Sequence, residues 1–536
     1  MAARNEQSKS VKEKIKEDNK KYLMWQHLTR NQKEVARRIL QGRYEILQSA
    51  GWGFFDMFMI FLKTIGFLDV LNVKGEGFQR RMITVAQLLM TYSMKVLLGI
   101  RSMNQTSDML FNDVGLLMLL GFTARQIKKG LCKRGVTGGK KKSNGPLHKD
   151  TLADALDRFG ADEVEHILNA SVMILNKEGF INDELYICDS TDIETTELCE
   201  GCGSKTVEKK EVDKDGKKVT VMETTYGFKL IVIRAVTSGI VVAATMTKIQ
   251  EHEQPYMLKL VKQAQKNIGE GKIKVLLIDR GFIDGIDLWK LKHKHEIDFV
   301  IPAKTTMDIT NDARGHRNSS SDRDTGIWRE SNEKIEVAGI RGLTSYDQYG
   351  DAKHNRKNKN SRDFVANPIN AVMVTMWDSD IYPQGHEKVF LTTLRVDTPL
   401  SVIEKYSLRF LIENTTFREL KQGWLINSIP KKTEAAIRTH AFLTLCMFNM
   451  CLAYRTHIGR NITEEGIRRF RRHTCAETRN KIVIISDECY GVFDLEEYAI
   501  LLGKPPKYFF SCDPKRFMQE YGDIIKSFSS EKNTKG

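Results

Sequence analysis

Three acidic residues stand where they could share a divalent cation. Asp189 follows the apolar run Leu185-Tyr186-Ile187-Cys188, and Asp279 follows Val275-Leu276-Leu277-Ile278 and precedes Arg280-Gly281-Phe282. Each run has the composition of a buried strand, so each aspartate is expected at a strand end, where open α/β sheets gather their ligands. A third carboxylate has to come from a helix laid over that sheet. Glu413 qualifies, since Tyr406, Arg409 and Glu413 fall at i, i+3 and i+7 and so line one helical face. Hard oxygen donors in this number suit Mg²⁺ or Mn²⁺, and a pair of such ions activates a water and stabilises the leaving oxygen of a phosphodiester. Spacing alone leaves open that each acid is an ordinary turn or cap residue. Asp192, three residues beyond Asp189, is a rival for the first position if the strand runs longer.

The elements that must position these residues form an alternation. Segments 185–191, 226–236 and 240–247 are β-rich, with Ser238-Gly239 as a hairpin turn between the last two and Asp215-Gly216 marking another hairpin before them. After them 254–268 reads as a helix, 273–278 as a buried strand, 284–293 as a helix and 297–302 as a strand, the order of an α/β sheet. Residues 305–385 break this pattern with a polar stretch, short β-runs, a basic loop at 353–362 and strands at 371–377 and 388–394, so a β-rich inserted subdomain is expected there. Helices resume at Pro399, over 401–422 and the apolar 435–454. Residues 1–180 hold helix-period segments and no convincing β-run. Within them 113–131 places an apolar helix, a break at Gly121 and a second helix ending in Lys128-Lys129, the pattern of a helix-turn-helix and equally of an αα-hairpin. The Gly- and Lys-rich 135–146 reads as a flexible basic linker.

Asp189-Ser190-Thr191, the run Ile278-Asp279-Arg280-Gly281-Phe282, and the block 406–413 (YSLRFLIE) followed by Phe417-Arg418-Glu419-Leu420-Lys421 resemble a known family. They are similar to the DDE transposases of the IS-four group of bacterial insertion sequences, over about residues 181–455. The resemblance implies a multidomain α/β protein: an RNase H-like catalytic core at 151–304 and 391–458 interrupted by a β-rich insertion at 305–390. A helical DNA-binding region at 1–150 would precede it, and a small, basic, helical C-terminal region at 459–536 would follow. The resemblance further implies that Asp189, Asp279 and Glu413 are catalytic and hold two Mg²⁺ or Mn²⁺ ions, and that Tyr406, Arg409 and Lys421 contact DNA. Asp189 is favoured over Asp192 because a small-residue pair follows it.

The family signature on the third-acid helix is Tyr, two residues, Arg, three residues, Glu, six residues, Lys. Here seven residues separate Glu413 from Lys421, and Leu420 takes the expected slot. On a regular helix Lys421 stands about 80° from Glu413 rather than about 20°. A one-residue π-bulge over 414–416 would restore the face. Relatives that release their element through a DNA hairpin stack a flipped base on an aromatic of the insertion. Trp328, beside Arg329 and after the polar loop 318–326, is expected to be exposed for that role, whereas Trp377 ends an apolar run and reads as strand packing.

Composition narrows the partners. The chain has 536 residues, 41% hydrophobic and 28% charged, which excludes a wholly disordered chain and supports more than one domain. The formal charge is +15, and it is concentrated. Residues 1–48 carry twelve Lys/Arg against six Asp/Glu, 123–150 nine against one, and 455–481 eight against three, so the remainder is net acidic. Clustered charge of this kind is the footprint of a polyanion, and double-stranded DNA is the leading partner. Arg468, Arg469, Arg471 and Arg472, interleaved with Phe470, could grip a DNA backbone or form a solvated helix face.

Nine cysteines, an odd number, argue for reduced thiols, and Cys199-Glu200-Gly201-Cys202 has no second pair to complete a zinc site. His252-Glu253 lacks a histidine four residues on, and no P-loop is present. The apolar stretch 54–71 is interrupted by Asp56, Lys63 and Asp69, and 441–454 spans fourteen residues against the roughly 18 of a membrane crossing. The charged N-terminus has no apolar core behind it, so the expectation is a cytoplasmic protein with no membrane partner, and the resemblance implies a bacterial, nucleoid-associated one. The function expected is a transposase that binds the terminal inverted repeats of its element, pairs two ends as a homodimer, cuts them and joins the 3′-hydroxyls to target DNA. The rivals are an RNase H-like nuclease without strand transfer and a catalytically inactive DNA-binding repressor.

Overall fold

β-branched and aromatic runs in the middle of the chain pair into one large mixed sheet, and a small sheet joins segments that lie far apart in sequence. The computed structural model describes residues 29–49, 55–73, 83–122, 147–212, 218–328, 332–351, 367–377, 385–458, 466–469, 471–472, 481–486 and 489–533. Strands are numbered along the chain. The small sheet takes β1 (Thr29–Arg30) and β2 (Ile46–Ser49). The large one takes β3 (Leu185–Thr195), β4 (Gly203–Val212), β5 (Lys218–Ala235), β6 (Val241–Lys248), β7 (Val275–Ile278), β8 (Asp298–Pro302), β9 (Arg323–Trp328), β10 (Glu333–Leu343), β11 (Ile369–Met376) and β12 (His386–Thr392). β13 (Lys481–Ser486) and β14 (Cys489–Asp494) complete the small sheet.

The large sheet runs β4-β5-β3-β7-β8-β12-β11-β10-β9, with β6 also on β5. β5 pairs antiparallel with β3 and β6, while β3, β7 and β8 are mutually parallel. Parallel strands need crossovers, and the helices Met257–Ile268 and Gly285–His295 supply them. The first buries Met257, Leu260, Val261, Ala264 and Ile268, the i, i+3, i+4, i+7 stripe of a helix laid on a sheet. The turn at Ser238-Gly239 forms the β5–β6 hairpin as expected, with Gly239 at φ 75°, where a side chain would be strained. β4 and β5 pair up to Val212 and Lys218, and the Asp215-Gly216 turn between them lies outside the described residues.

The β-rich segment expected at 305–390 continues the large sheet rather than standing apart from it: β12 pairs with β8 through Phe390↔Pro302, Leu391↔Ile301 and Thr392↔Val300, so β9–β12 extend it. An unpaired β8 edge invites that addition. The terminal regions are not purely helical either. β1, β14, β13 and β2 form one sheet, on which Val35, Ala36 and Ile39 of the helix Gln32–Leu40 pack with Ile482, Ile484, Phe493, Phe517 and Tyr521. The N-terminal and C-terminal segments therefore share one core. By contrast Val85–Leu97, buried along its whole length, and Ala161–Lys177 belong to the core of the large sheet.

The helix Glu434–His457 has 24 residues, longer than the apolar run suggested, and by length and composition it could cross a membrane. Its most apolar window is 89% buried inside the protein, which is the environment its side chains need here. Of the expected helix-turn-helix, Val114–Leu119 is a helix capped by Asp113, while the second helix and the linker at 135–146 fall outside the described residues.

Candidate functional site

Strand register places the two aspartates side by side. β3 and β7 pair in parallel from Leu185↔Val275 to Cys188↔Ile278, so Asp189 and Asp279 are the next residues on adjacent strands, which lie about 4.8 Å apart. β3 itself continues to Thr195, beyond the strand end expected at 191. Asp189 is buried, and one of its oxygens accepts the Ser190 N–H at 2.7 Å. Asp279 is more open and caps the turn after β7 through the Gly281 N–H. A Cβ at Gly281 would crowd the carboxylate end of Glu253, which would have to shift. Glu253 is held in turn by Lys229 Nζ at 2.7 Å. Sequence reasoning missed this pair, since His252-Glu253 was considered only as half of a zinc motif.

The third acid arrives on a helix whose geometry changes at the site. Pro399–Ser407 is followed by a π-helical segment over Ile412–Phe417 and then by Arg418–Gln422. The Thr415 hydroxyl donates to the Leu411 carbonyl and competes within the main-chain ladder. A wider turn of this kind absorbs one extra residue, which by ideal helix geometry sets the Glu413–Lys421 interval at about 20°. Leu420, in the slot of the missing lysine, is fully buried.

Arg409 ties the three acids together. Its Nη1 lies 2.6 Å from Asp189 Oδ2, 2.9 Å from Glu413 Oε1 and 3.8 Å from Asp279 Oδ1. Asp192 takes no part: three residues on along the strand it faces the other way, toward Lys205 at 3.9 Å. Burial pushes the Asp189 carboxyl up to about 7; Arg409 and the Ser190 N–H oppose that rise, and the charges of Asp279 and Glu413 add to it. Three acids facing one guanidinium leave a local excess of negative charge made only of hard oxygen donors, which suits a divalent cation. Among the described residues no three acids, histidines or cysteines stand close enough to hold an ion directly. Arg409 Nη1 occupies the point on which the three carboxylates converge.

A cleft of about 290 Å³ opens beside Asp279 and Arg409, walled by Arg280, Tyr406, Lys388 and Trp328 among others. Trp328 was expected to be exposed and is not. Only 4% of it is accessible, its ring lies on Phe390, and Lys388 Nζ stands 4.9 Å from the ring centre. It closes β9 on the inward side of the pleat, a parity that a short strand after a loop does not reveal. Trp377 is the exposed one, at 53%, with the Arg317 guanidinium 5.2 Å from its ring. The basic cluster also divides. Arg469 and Arg472 are exposed, and Arg468 reaches the Gln422 carbonyl. Arg471 is half-buried and donates to the Gly423 carbonyl at 2.6 Å; Phe470 and His473 are outside the described residues. Cys199 and Cys202 lie in a turn near Thr196, and the seven described cysteines are free thiols.

A family model of the transposase DDE domain matches residues 182–450, a span holding the three acids, Arg409 and Lys421. No curated protein matches the chain. Among solved structures, the cryo-EM structure of a piggyBac transposase synaptic complex with hairpin DNA is similar over 88% of this chain and 85% of that one, at 9% identity and a TM-score of 0.38.

Proposed function

The chain belongs to the transposase DDE-domain family, and from that premise we propose that it is a DNA transposase in which Asp189, Asp279 and Glu413 are the catalytic carboxylates. The observation that carries this reading is their meeting at one point, the Arg409 guanidinium, from two adjacent strands and a helix 220 residues away. The strand order β6-β5-β3-β7-β8, antiparallel up to β3 and parallel beyond it, supports an RNase H-like core with β9–β12 as the insertion. The π segment that returns Lys421 to the Glu413 face supports membership of the IS-four group.

Mg²⁺ or Mn²⁺, bound as a pair, would supply the Lewis acidity that activates a water and stabilises the leaving oxygen. Asp189, buried and fixed by the Ser190 N–H, holds its donor oxygen in place, while Asp279 and Glu413 border the open side where a strand enters. Arg409, released from the acids, is placed to grip the phosphate beside the cut, and Lys421 to hold the strand further along the helix. Positioning and charge neutralisation carry the rate. The substrates are the terminal inverted repeats of a bacterial element and a target duplex, paired by a homodimer at the nucleoid. End recognition rests on residues 1–150 together with the C-terminal basic region.

The test uses the full chain, Mg²⁺ and a duplex carrying the element end. Cutting and joining of the 3′-hydroxyl are expected. Asp189→Ala, Asp279→Ala and Glu413→Ala should each lose at least about a thousandfold in cutting, about 4 kcal/mol of transition-state stabilisation, while still binding the end. Asp192→Ala should cut. Near-normal cutting by any of the first three removes that residue from the site, and cutting without joining favours the nuclease rival.

A further inference from the structure

On the far side of the π segment from Glu413 lies a second cavity, of about 460 Å³, which the carboxylate chemistry does not use. Arg234 of β5 projects into it. Only 6% of Arg234 is exposed, and its Nε has no hydrogen-bond partner. Its other contacts are long: Nη1 to the Val236 carbonyl at 3.4 Å and Nη2 to the Thr415 hydroxyl at 3.3 Å. The carboxylate whose charge bears on it, Asp183, is engaged instead by the Thr237 and Ser238 N–H groups. A guanidinium taken out of water without an ion-pair partner is strongly unfavourable, and among the described residues no carboxylate pairs directly with Arg234, so the position favours an added negative charge.

Other polar groups share the wall with the apolar Leu411, Trp424, Phe448 and Leu452. The hydroxyls of Ser238 and Thr416 border the cavity and are likewise buried without hydrogen-bond partners. Arg418 and Arg468 stand at its exposed rim. Glu419, the one acid lining it among the described residues, is turned to the Ile467 N–H, so its charge stays on the wall but its oxygens are held there. Gly239 leaves the room, since a Cβ there would come within 3.2 Å of Arg234 Nη2. Burial also pulls the Arg234 guanidinium down to about 10, the direction expected of a cation short of a partner. A fork of N–H donors flanked by hydroxyls, with further guanidinium groups at the mouth, is a donor set matched to the oxygens of a phosphate.

We propose that this cavity is a phosphate-binding site, distinct from the carboxylate cluster and coupled to it through the shared segment Ile412–Phe417. The site itself stands on the geometry alone. Its source of phosphate rests on the transposase reading, under which a DNA backbone phosphate enters it while the strand passes Glu413. A free phosphate-bearing small molecule is the other source.

The experiment uses the full chain without divalent metal, so no cutting intervenes. Wild type, Arg234→Gln and the rim variant Arg418→Gln/Arg468→Gln are compared; the rim side chains are exposed, so that variant folds even if Arg234→Gln does not. Inorganic phosphate is titrated against chloride at matched ionic strength and thermal unfolding is followed, and binding of a duplex is measured against salt. Saturable stabilisation of wild type by phosphate, lost in the rim variant and in Arg234→Gln if it folds, supports the site. If the slope of log affinity against log salt also falls by about 0.9 per lost contact, the source is the DNA backbone. If the slope is unchanged, the source is a small molecule. Phosphate stabilisation that survives in the variants, or no stabilisation of wild type together with an unchanged slope, overturns the proposal. Failure of wild type to cut DNA in the separate metal-dependent assay would sink the transposase reading and leave the phosphate result standing.

Discussion

At the carboxylate cluster one guanidinium faces three acids, and its removal separates two roles. Arg409→Ala exposes Asp189, Asp279 and Glu413 to one another, and like charges at this spacing favour either a proton or a cation. The variant should therefore bind Mn²⁺ in the absence of DNA several-fold more tightly than wild type by calorimetry, yet cut more slowly because the phosphate clamp is gone. Weaker Mn²⁺ binding would show that Arg409 supports the ligand arrangement rather than competing with it. Both aspartates were legible because each follows four apolar residues, which announces a buried strand running up to a carboxylate, although β3 continues past Asp189 to Thr195. The tryptophans were not. Which side of a pleat Trp328 or Trp377 faces depends on one residue of register, and register is set by pairing with β10 and β12, which composition does not reveal. Arg234 was missed for a related reason: amid a β-run its charge gives no sign that it is buried.

The Ile412–Phe417 segment shows how a departure from a spacing can be read. A signature one residue too long required either a lost lysine contact or a local widening of the helix, and the helix widens. Under the proposed function Leu420 and Lys421 have opposite duties. Leu420→Ala should cost about 2–5 kcal/mol of stability by denaturant unfolding, because the side chain is fully buried. Lys421→Ala should leave stability within about 0.5 kcal/mol and reduce end binding and cutting instead. A stability loss from Lys421→Ala comparable to that from Leu420→Ala would place the lysine in the packing and remove it from the DNA path.

Across the whole molecule the α/β alternation of 185–302 was readable from local runs, whereas the terminal organisation was not. β1 has two residues and β2 four, and they are held by β14 and β13 from more than 400 residues away, so no window of sequence contains the pairing. A shared core predicts shared stability. Phe493→Ala, which empties a fully buried position against Tyr521 in the terminal core, should lower hydrogen-exchange protection in Gln32–Leu40 as well as in β13 and β14, and leave Val85–Leu97 unaffected. Protection lost only in the C-terminal strands would separate the two ends again.

If three distant acids act as one centre, the non-additivity of their removal measures it directly. Residues that serve a single step fail together, so a second loss adds little to the first. Cutting rates of an element-end duplex with Mg²⁺ would be measured for Asp189→Ala, Glu413→Ala and the double variant, beside wild type. The prediction is a loss of about a thousandfold or more in each single variant, with the double variant within about tenfold of the slower single. Losses that multiply, or a single variant that cuts at close to the wild-type rate, would contradict it.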